Sequence, residues 1–167
     1  NKLNQVKVLV GLIGKLPVRQ LYVTGCEADD VIGYMSRETF REREQVLVTS
    51  DKDHFQLLRQ GVVIMSPNRK TIVTHDDVLH EYGISSMNFC IAKALCGDPS
   101  DNVPGIKGVG FKTVAKRFPF MSETVEHGVD DVLAHCVDKR DGSRVYDDIL
   151  ASRDVIVRNW RLMRLGN

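Results

Sequence analysis

The chain has 167 residues, of which 43% are hydrophobic and 27% charged, and its formal net charge is +1. These proportions are typical of a folded globular protein and exclude a disordered or collagen-like chain. Because the net charge is close to zero, any affinity for nucleic acid must come from a local basic patch.

The first half of the chain alternates between helix and strand signals. Apolar residues at steps of three and four predict an amphipathic helix over residues 3–16. The short β-branched and aromatic run VRQLYVT, residues 18–24, predicts a strand. The elements expected after it are a helix from Glu27 to about Arg41, a strand at 45–49, a short helix at 52–59, and a hairpin, VVIMS-PNRK-TIVT, with a Pro-Asn turn.

The pattern becomes helical from Thr74 onward. Thr74 and Asp77 have the spacing of a helix N-cap and its acidic third position. Helices are predicted at 75–82, 86–96, 111–118, 129–137, 143–151 and 153–163, and Gly97 is placed to cap the second of them. This order predicts an α/β core over residues 1–74, followed by a helical subdomain over residues 75–167.

Four cysteines, at positions 26, 90, 96 and 136, form no C-x-x-C pair and no zinc-finger spacing with histidine. Reduced thiols are therefore expected. No apolar run approaches the roughly 18 residues that cross a bilayer, and no signal-peptide pattern opens the chain. A cytoplasmic monomer without a membrane partner is the prediction.

Three acidic groups stand at the boundaries of predicted elements. Two of them directly follow predicted strands, and ligands of open α/β sheets bind at the carboxyl ends of strands. One such group alone could simply complement a helix dipole, but several at one sheet edge would repel one another unless cations neutralised them. The seven carboxylates are Glu27, Asp29, Asp30, Asp51, Asp53, Asp98 and Asp101.

These groups contain neither histidine nor cysteine, and oxygen-only ligands favour hard cations such as Mg²⁺ or Mn²⁺. Two such ions about 4 Å apart stabilise the attacking and leaving oxygens in phosphodiester hydrolysis. The seven carboxylates are therefore predicted to be both metal ligands and catalytic residues.

The stretches CEADDVIG, TSDKDHFQLL and GDPSDNVPGIKGVGFKTVAKRF, in that order, closely resemble the 5′-nuclease superfamily over about residues 1–120. That family includes flap endonucleases, the 5′-nuclease domain of bacterial DNA polymerase I, and bacteriophage 5′ to 3′ exonucleases. The resemblance implies a central, mainly parallel, PIN-like sheet flanked by helices. It also implies two or more Mg²⁺ ions, with Mn²⁺ as a substitute, and a location in a bacterial cell or a phage-infected host. Asp53, Asp98 and Asp101 would favour the second metal.

A glycine-lysine segment follows the last acidic group. From Val103 to Phe118 the chain has four basic residues and no acidic one. Glycines let backbone amides approach a phosphate closely. By resemblance, residues 96–118 form a helix-two-turn-helix, a relative of the helix-hairpin-helix that holds duplex DNA. The expected DNA contacts are Gly105, Lys107, Gly108, Gly110, Lys112, Thr113 and Lys116, and the expected potassium ligands are the carbonyls of Gly105, Ile106 and Val109.

The resemblance begins inside the family pattern. No apolar strand ending in Asp precedes residue 18, and no helical arch is recognisable. A chain from which the amino-terminal part of the nuclease is missing is therefore expected, and a divergent truncated relative is the less favoured alternative.

The implied function is a structure-specific 5′ nuclease, an exonuclease or flap endonuclease. Its substrates would be DNA 5′ ends, flaps and single-strand/duplex junctions, including an RNA primer on DNA, during primer removal or repair. Two alternatives stay open. One is a non-catalytic module that binds duplex or junction DNA through the glycine-lysine segment. The other is a PIN-type ribonuclease, which would keep the carboxylates but has no need for GIKGVG.

Overall fold

The computed structural model describes residues 1–139 and 142–166. A π-helical turn (Met35–Thr39) extends the second helix, and 3₁₀ turns occur at Lys52–Leu57, Ser86–Asn88 and Pro119–Ser122. The α-helices are α1 (Lys2–Ile13), α2 (Ala28–Tyr34), α3 (His75–Tyr82), α4 (Phe89–Cys96), α5 (Phe111–Arg117), α6 (Val129–Asp138), α7 (Arg144–Ala151) and α8 (Arg153–Met163). The strands are β1 (Gln45–Val48), β2 (Val62–Ser66), β3 (Thr71–Val73), β4 (Gly97–Asp98) and β5 (Val103–Pro104).

The main sheet has three strands in the order β1-β2-β3. β1 and β2 run parallel, and β2 and β3 run antiparallel, so the sheet contains one pair of each kind. Along β2 buried residues alternate with half-buried ones, which gives the sheet one face toward the body of the protein. The predicted hairpin is confirmed, and so is the α/β class.

Two clusters of buried apolar side chains stabilise the fold. The smaller lies under the sheet and consists of Phe55, Leu58, Ile64, Val73, Val78 and Phe89. The larger lies among α4 to α8 and includes Ile91, Leu95, Val114, Ile149 and Ile156. Because α4 contributes Phe89 to one cluster and Leu95 to the other, it connects the sheet to the helical half. The boundary at residue 74 stays a prediction.

The helical half follows the predicted pattern closely. α3 and α8 have the predicted bounds, and the predicted helix at 86–96 divides into a 3₁₀ turn and α4. Thr74 and Asp77 form the predicted capping box at the start of α3. Gly97 ends α4 with φ +75°, a conformation that glycine adopts without steric cost.

The prediction of a strand at residues 18–24 is wrong. The segment is exposed and irregular, and its backbone hydrogen bonds are local, from Val18 N to Leu16 O (2.8 Å) and from Cys26 N to Val23 O (3.3 Å). Composition favours a strand only when a neighbouring strand can accept its hydrogen bonds, and none of the described strands pairs with this segment. The preceding helix, α1, forms as predicted but buries none of its residues.

The four cysteines are free thiols, as their spacing predicts. Burial raises the pKa of Cys90 and of Cys96 to about 12, so both thiols stay protonated near neutral pH. Within residues 1–139 and 142–166, no helix has the length and apolar character needed to cross a membrane.

Candidate metal centre and nucleic-acid interface

Three of the seven predicted carboxylates come together. Asp53, Asp98 and Asp101 each offer an oxygen within 4.8 Å of the other two, and we call these residues the carboxylate triad. Asp53 lies in the 3₁₀ turn after β1, Asp98 lies in β4, and Asp101 lies in the turn between β4 and β5. The triad therefore joins the end of a sheet strand to the chain reversal that follows α4.

The reversal after α4 depends on two glycines in close contact. A Cβ on Gly97 would lie 2.2 Å from the backbone nitrogen of Gly105, and a Cβ on Gly105 would lie 1.9 Å from the carbonyl oxygen of Cys96. Neither position has room for a side chain. The backbone of Ile106 then donates to the carbonyl oxygen of Leu95 (2.9 Å), which fixes the return of the chain onto α4. This packing sets the position of Asp98 and Asp101.

Lys93 contacts two members of the triad. Its Nζ lies 2.5 Å from Asp98 Oδ2 and also forms an ion pair with Asp53 Oδ1. Burial acts to lower the pKa of Lys93, but the hydrogen bonds to both carboxylates outweigh it, so the pKa is raised above its usual value. Lys93 is therefore a buried ammonium held between two carboxylates.

The two carboxylates that share Lys93 differ in their electrostatics. Burial raises the pKa of Asp53, and the negative charges of Asp51 and Asp98 raise it further. Lys93 acts to lower this pKa, but the net shift is upward. Burial also acts to raise the pKa of Asp98, but hydrogen bonds from Lys93 and Ser100 outweigh it and hold that pKa at about 2. The backbone nitrogen of Ser100 donates to Asp98 Oδ1 at 2.9 Å, and its hydroxyl contacts the same oxygen. Asp53 is thus the carboxylate with most to gain from a further cation.

Asp51 and Asp29 lie outside the triad. Asp51 is exposed and caps the 3₁₀ turn, where its Oδ1 accepts from the backbone nitrogen of Asp53 at 2.9 Å. Asp29 Oδ1 lies 3.5 Å from Nε2 of the buried His54. Because His54 adjoins Asp53 in the chain, it links the first acidic group to the triad.

Glu27 and Asp30 also lie outside the triad. Glu27 is exposed at the N-cap of α2 and makes no capping hydrogen bond with its side chain. Asp30 Oδ1 accepts from the backbone nitrogen of Gly166 at 3.5 Å. The roles predicted for these residues and for Asp29 and Asp51 stay predictions.

The glycine-lysine segment presents its basic side chains to solvent. Lys107, Lys112 and Lys116 are exposed, whereas Ile106 and Val109 are buried against the larger cluster. Exposed cations on a segment anchored by apolar residues form a fixed basic surface. We call Lys107, Lys112 and Lys116 the lysine patch.

Some backbone carbonyls of the glycine-lysine segment accept hydrogen bonds from within the segment. The carbonyl oxygen of Ile106 accepts from Val109 (3.0 Å), and that of Gly110 accepts from Thr113 (2.8 Å). The Thr113 hydroxyl donates to the Gly108 carbonyl at 3.4 Å. A Cβ at Gly108 or Gly110 would meet nothing within 4 Å, so the surface beside these two residues is open. The predicted DNA contacts and potassium ligands stay predictions.

Sequence reasoning missed two residues that shape the site. Lys93 carries the only charge in the apolar helix FCIAKALC, and that isolation, five residues before Asp98, was a usable signal. Asn159 is buried in α8 and donates to the carbonyl oxygens of Ala94 (3.0 Å) and Pro104 (2.8 Å). No sequence signal marks Asn159, because its partners are backbone atoms far away in the chain.

Comparisons with known proteins agree with the motifs. Residues 2–83 match the family model described as 5′-3′ exonuclease, N-terminal resolvase-like domain. A thermostable DNA polymerase I of Thermus filiformis is 41% identical over 112 residues, which are 66% of this chain and 13% of the polymerase. A 5′-3′ exonuclease of Buchnera aphidicola is 36% identical over 110 residues, which are 65% of this chain and 38% of that protein. The chain thus matches less than half the length of these curated relatives.

Two solved structures share the fold. A bacteriophage T5 5′-exonuclease with bound divalent metal ions (zinc) has a TM-score of 0.83 and 21% identity, over 98% of this chain and 59% of that one. A bacteriophage T5 flap endonuclease in a pseudo-enzyme-product complex with DNA and metal ions has a TM-score of 0.76 and 20% identity, over 95% and 56% of the two chains. The motifs, the family model, the relatives and the fold all agree, and the chain belongs to the 5′-nuclease superfamily.

Proposed function

We propose that this chain carries the metal-binding and duplex-binding parts of a structure-specific 5′ nuclease that hydrolyses DNA phosphodiesters during primer removal or repair. The observation that carries the proposal is the carboxylate triad, because Asp53 converges on Asp98 and Asp101, which directly precede the glycine-lysine segment. Relatives that are 5′-3′ exonucleases and DNA polymerase I support the same activity. The substrates would be DNA 5′ ends, flaps and junctions, including an RNA primer on DNA.

The triad fits a hard divalent cation. Its donors are carboxylate oxygens, which Mg²⁺ and Mn²⁺ prefer, and Asp53 is partly desolvated so that its charge is poorly screened. Asp53, Asp98 and Asp101 would hold one ion, and Glu27, Asp29, Asp30 and Asp51 would contribute to a second. When bound, such ions supply Lewis-acid stabilisation of the charge that develops on the phosphate. The protein side chains hold the ions and form no covalent intermediate.

The lysine patch would hold the duplex. Its ammonium groups and the Thr113 hydroxyl suit phosphate oxygens, and contacts of that kind position a substrate without reading its sequence. The open surface at Gly108 and Gly110 lets a phosphate approach the backbone. We also propose that the carbonyls of Gly105, Ile106 and Val109 hold a potassium ion there. A structurally similar flap endonuclease forms a complex with DNA, which supports DNA as the ligand of this surface.

Removal of one triad carboxylate tests the activity. Asp101→Asn keeps the size of an exposed side chain but removes its charge. We expect this variant to cleave a 5′-flap DNA in Mg²⁺ more than about 100-fold more slowly. Loss of a residue that only supports a metal ligand already costs about 10- to 100-fold in affinity or activity. DNA affinity measured in Ca²⁺ should stay unchanged. Asp138→Asn, at the exposed end of α6, is the matched control and should cleave normally.

A non-catalytic DNA-binding module is the second candidate. Four of the predicted ligands lie outside the triad, which favours this alternative over a complete two-metal site. It predicts salt-sensitive binding of junction DNA with no cleavage in Mg²⁺ or Mn²⁺. Cleavage of single-stranded RNA in place of the DNA flap would instead favour a PIN-type ribonuclease.

A further inference from the structure

Lys93 is a buried charge in an otherwise apolar helix. Seven of the eight residues of α4 are buried, and Lys93 is one of them, with 9% of its surface exposed. A lysine in such a place is strongly unfavourable unless anions compensate its charge. Asp53 and Asp98 provide that compensation, since both contact the Lys93 Nζ.

The Lys93 ammonium lies against the carboxylate triad. Its two partners are the same carboxylates that, with Asp101, place their oxygens within 4.8 Å of one another. The ammonium and a divalent ion would both bind these oxygens. A carboxylate oxygen that is paired with one cation is less available to the other. Lys93 is therefore a competitor for the ligands and also a clamp that keeps two like charges together.

We infer that Lys93 is an internal counter-cation of the metal centre, which a divalent ion must displace in order to bind Asp53 and Asp98. The inference rests on the proposed function of the triad and adds a device that controls its metal affinity. While Lys93 holds the carboxylates, their mutual repulsion is neutralised and the chain reversal after α4 keeps its shape. The cost of separating Lys93 from both carboxylates then lowers the affinity for the ion.

A purely structural role for Lys93 predicts the opposite sign. If Lys93 served only to shape the site, its removal would disorder the carboxylates and weaken metal binding. If Lys93 competes with the ion, its removal leaves two uncompensated carboxylates and strengthens metal binding. The sign of the change in affinity therefore separates the two roles.

The test compares Mn²⁺ binding to the wild-type chain and to Lys93→Met, measured by titration calorimetry after EDTA has stripped other metals. Methionine keeps an unbranched apolar stem of similar length but removes the ammonium. We expect Lys93→Met to bind Mn²⁺ at least about tenfold more tightly, which corresponds to about 1.4 kcal/mol. Lys139→Met, which removes an exposed lysine after α6, should stay within about twofold of the wild type. Unchanged or weaker binding by Lys93→Met overturns the inference.

A second measurement uses the wild-type chain, in case Lys93→Met does not fold. Reductive methylation followed by mass spectrometry reports how accessible each lysine amine is. We expect methylation of Lys93 to be slow without metal and to rise several-fold in saturating Mn²⁺, while that of the exposed Lys139 stays constant. The inference is overturned if the methylation rate of Lys93 is the same with and without Mn²⁺.

Cleavage of a 5′-flap DNA by the wild-type chain separates this inference from the proposed function. Tighter Mn²⁺ binding by Lys93→Met without any cleavage by the wild type supports the counter-cation role and contradicts the nuclease. Cleavage by the wild type with unchanged Mn²⁺ binding by Lys93→Met supports the nuclease and contradicts the counter-cation role.

Discussion

Two glycines determine whether the triad can form at all. Gly105 has a backbone conformation open to other residues, but a Cβ there would lie 1.9 Å from the Cys96 carbonyl oxygen. That contact involves two backbones and cannot be relieved by a side-chain rotation. We expect Gly105→Ala to lose about 3 kcal/mol or more of unfolding free energy, measured by urea denaturation.

Gly110 provides the matched control for this prediction. It lies in the same segment, but a Cβ there would meet nothing within 4 Å, and its φ of −125° suits any residue. Gly110→Ala should lose at most about 1 kcal/mol, because alanine is a poorer N-cap than glycine. Equal losses for the two variants would mean that the close approach of Gly105 to the Cys96 carbonyl oxygen does not limit the fold.

At the scale of elements, the start of α3 shows how a local motif acts on stability. The Thr74 hydroxyl donates to Asp77 Oδ2 (2.6 Å) and accepts from the Asp77 backbone nitrogen (3.3 Å). We expect Thr74→Ala to lose about 1 kcal/mol in urea denaturation at pH 7. The hydrogen bonds from Thr74 lower the pKa of Asp77 below its ordinary 3.8.

The lowered pKa of Asp77 gives this prediction a pH dependence. A carboxylate with a lowered folded-state pKa stabilises the fold above its unfolded pKa, and that stabilisation disappears as the pH falls through the folded value. Thr74→Ala should therefore cause its full loss of unfolding free energy above pH 3.8 and a smaller loss below that pH. A double variant with Asp77→Ala should lose less than the sum of the single variants.

Another element-scale prediction concerns the buried amide that joins α8 to α4 and β5. Asn159→Leu removes this donor from the buried carbonyl oxygen of Ala94 and from the partly buried carbonyl oxygen of Pro104. We expect a loss of about 2 to 4 kcal/mol in urea denaturation, since each buried polar group left unsatisfied costs about 1 to 3 kcal/mol. Arg161→Leu, at an exposed position of the same helix, should lose less than about 0.5 kcal/mol.

At the scale of the whole molecule, features that depend on residues close together in the sequence were predictable, and features that depend on distant residues were not. The hairpin, the capping box and the bounds of α3 and α8 depend on residues a few positions apart, and all were predictable. The strand at residues 18–24 was not, because a strand depends on a partner elsewhere in the chain. At the site, the motifs marked Asp53, Asp98 and Asp101, but the Lys93 ion pairs and the Asn159 hydrogen bonds arise only from tertiary packing.

The charge of the whole molecule conceals the surface that we expect to bind DNA. The net charge is +1, yet the lysine patch belongs to a segment with four basic residues and no acidic one. Each lysine that neutralises a phosphate releases a counterion, which adds about 0.9 to the slope of log affinity against log salt concentration. We expect Lys112→Ala to weaken binding of a junction duplex at every sequence tested and to reduce that slope by about 1. Fluorescence anisotropy between about 50 and 200 mM KCl measures the slope. Lys139→Ala removes the same charge from an exposed site outside the patch and should leave the slope unchanged, whereas equal effects of both variants would indicate binding through net charge alone.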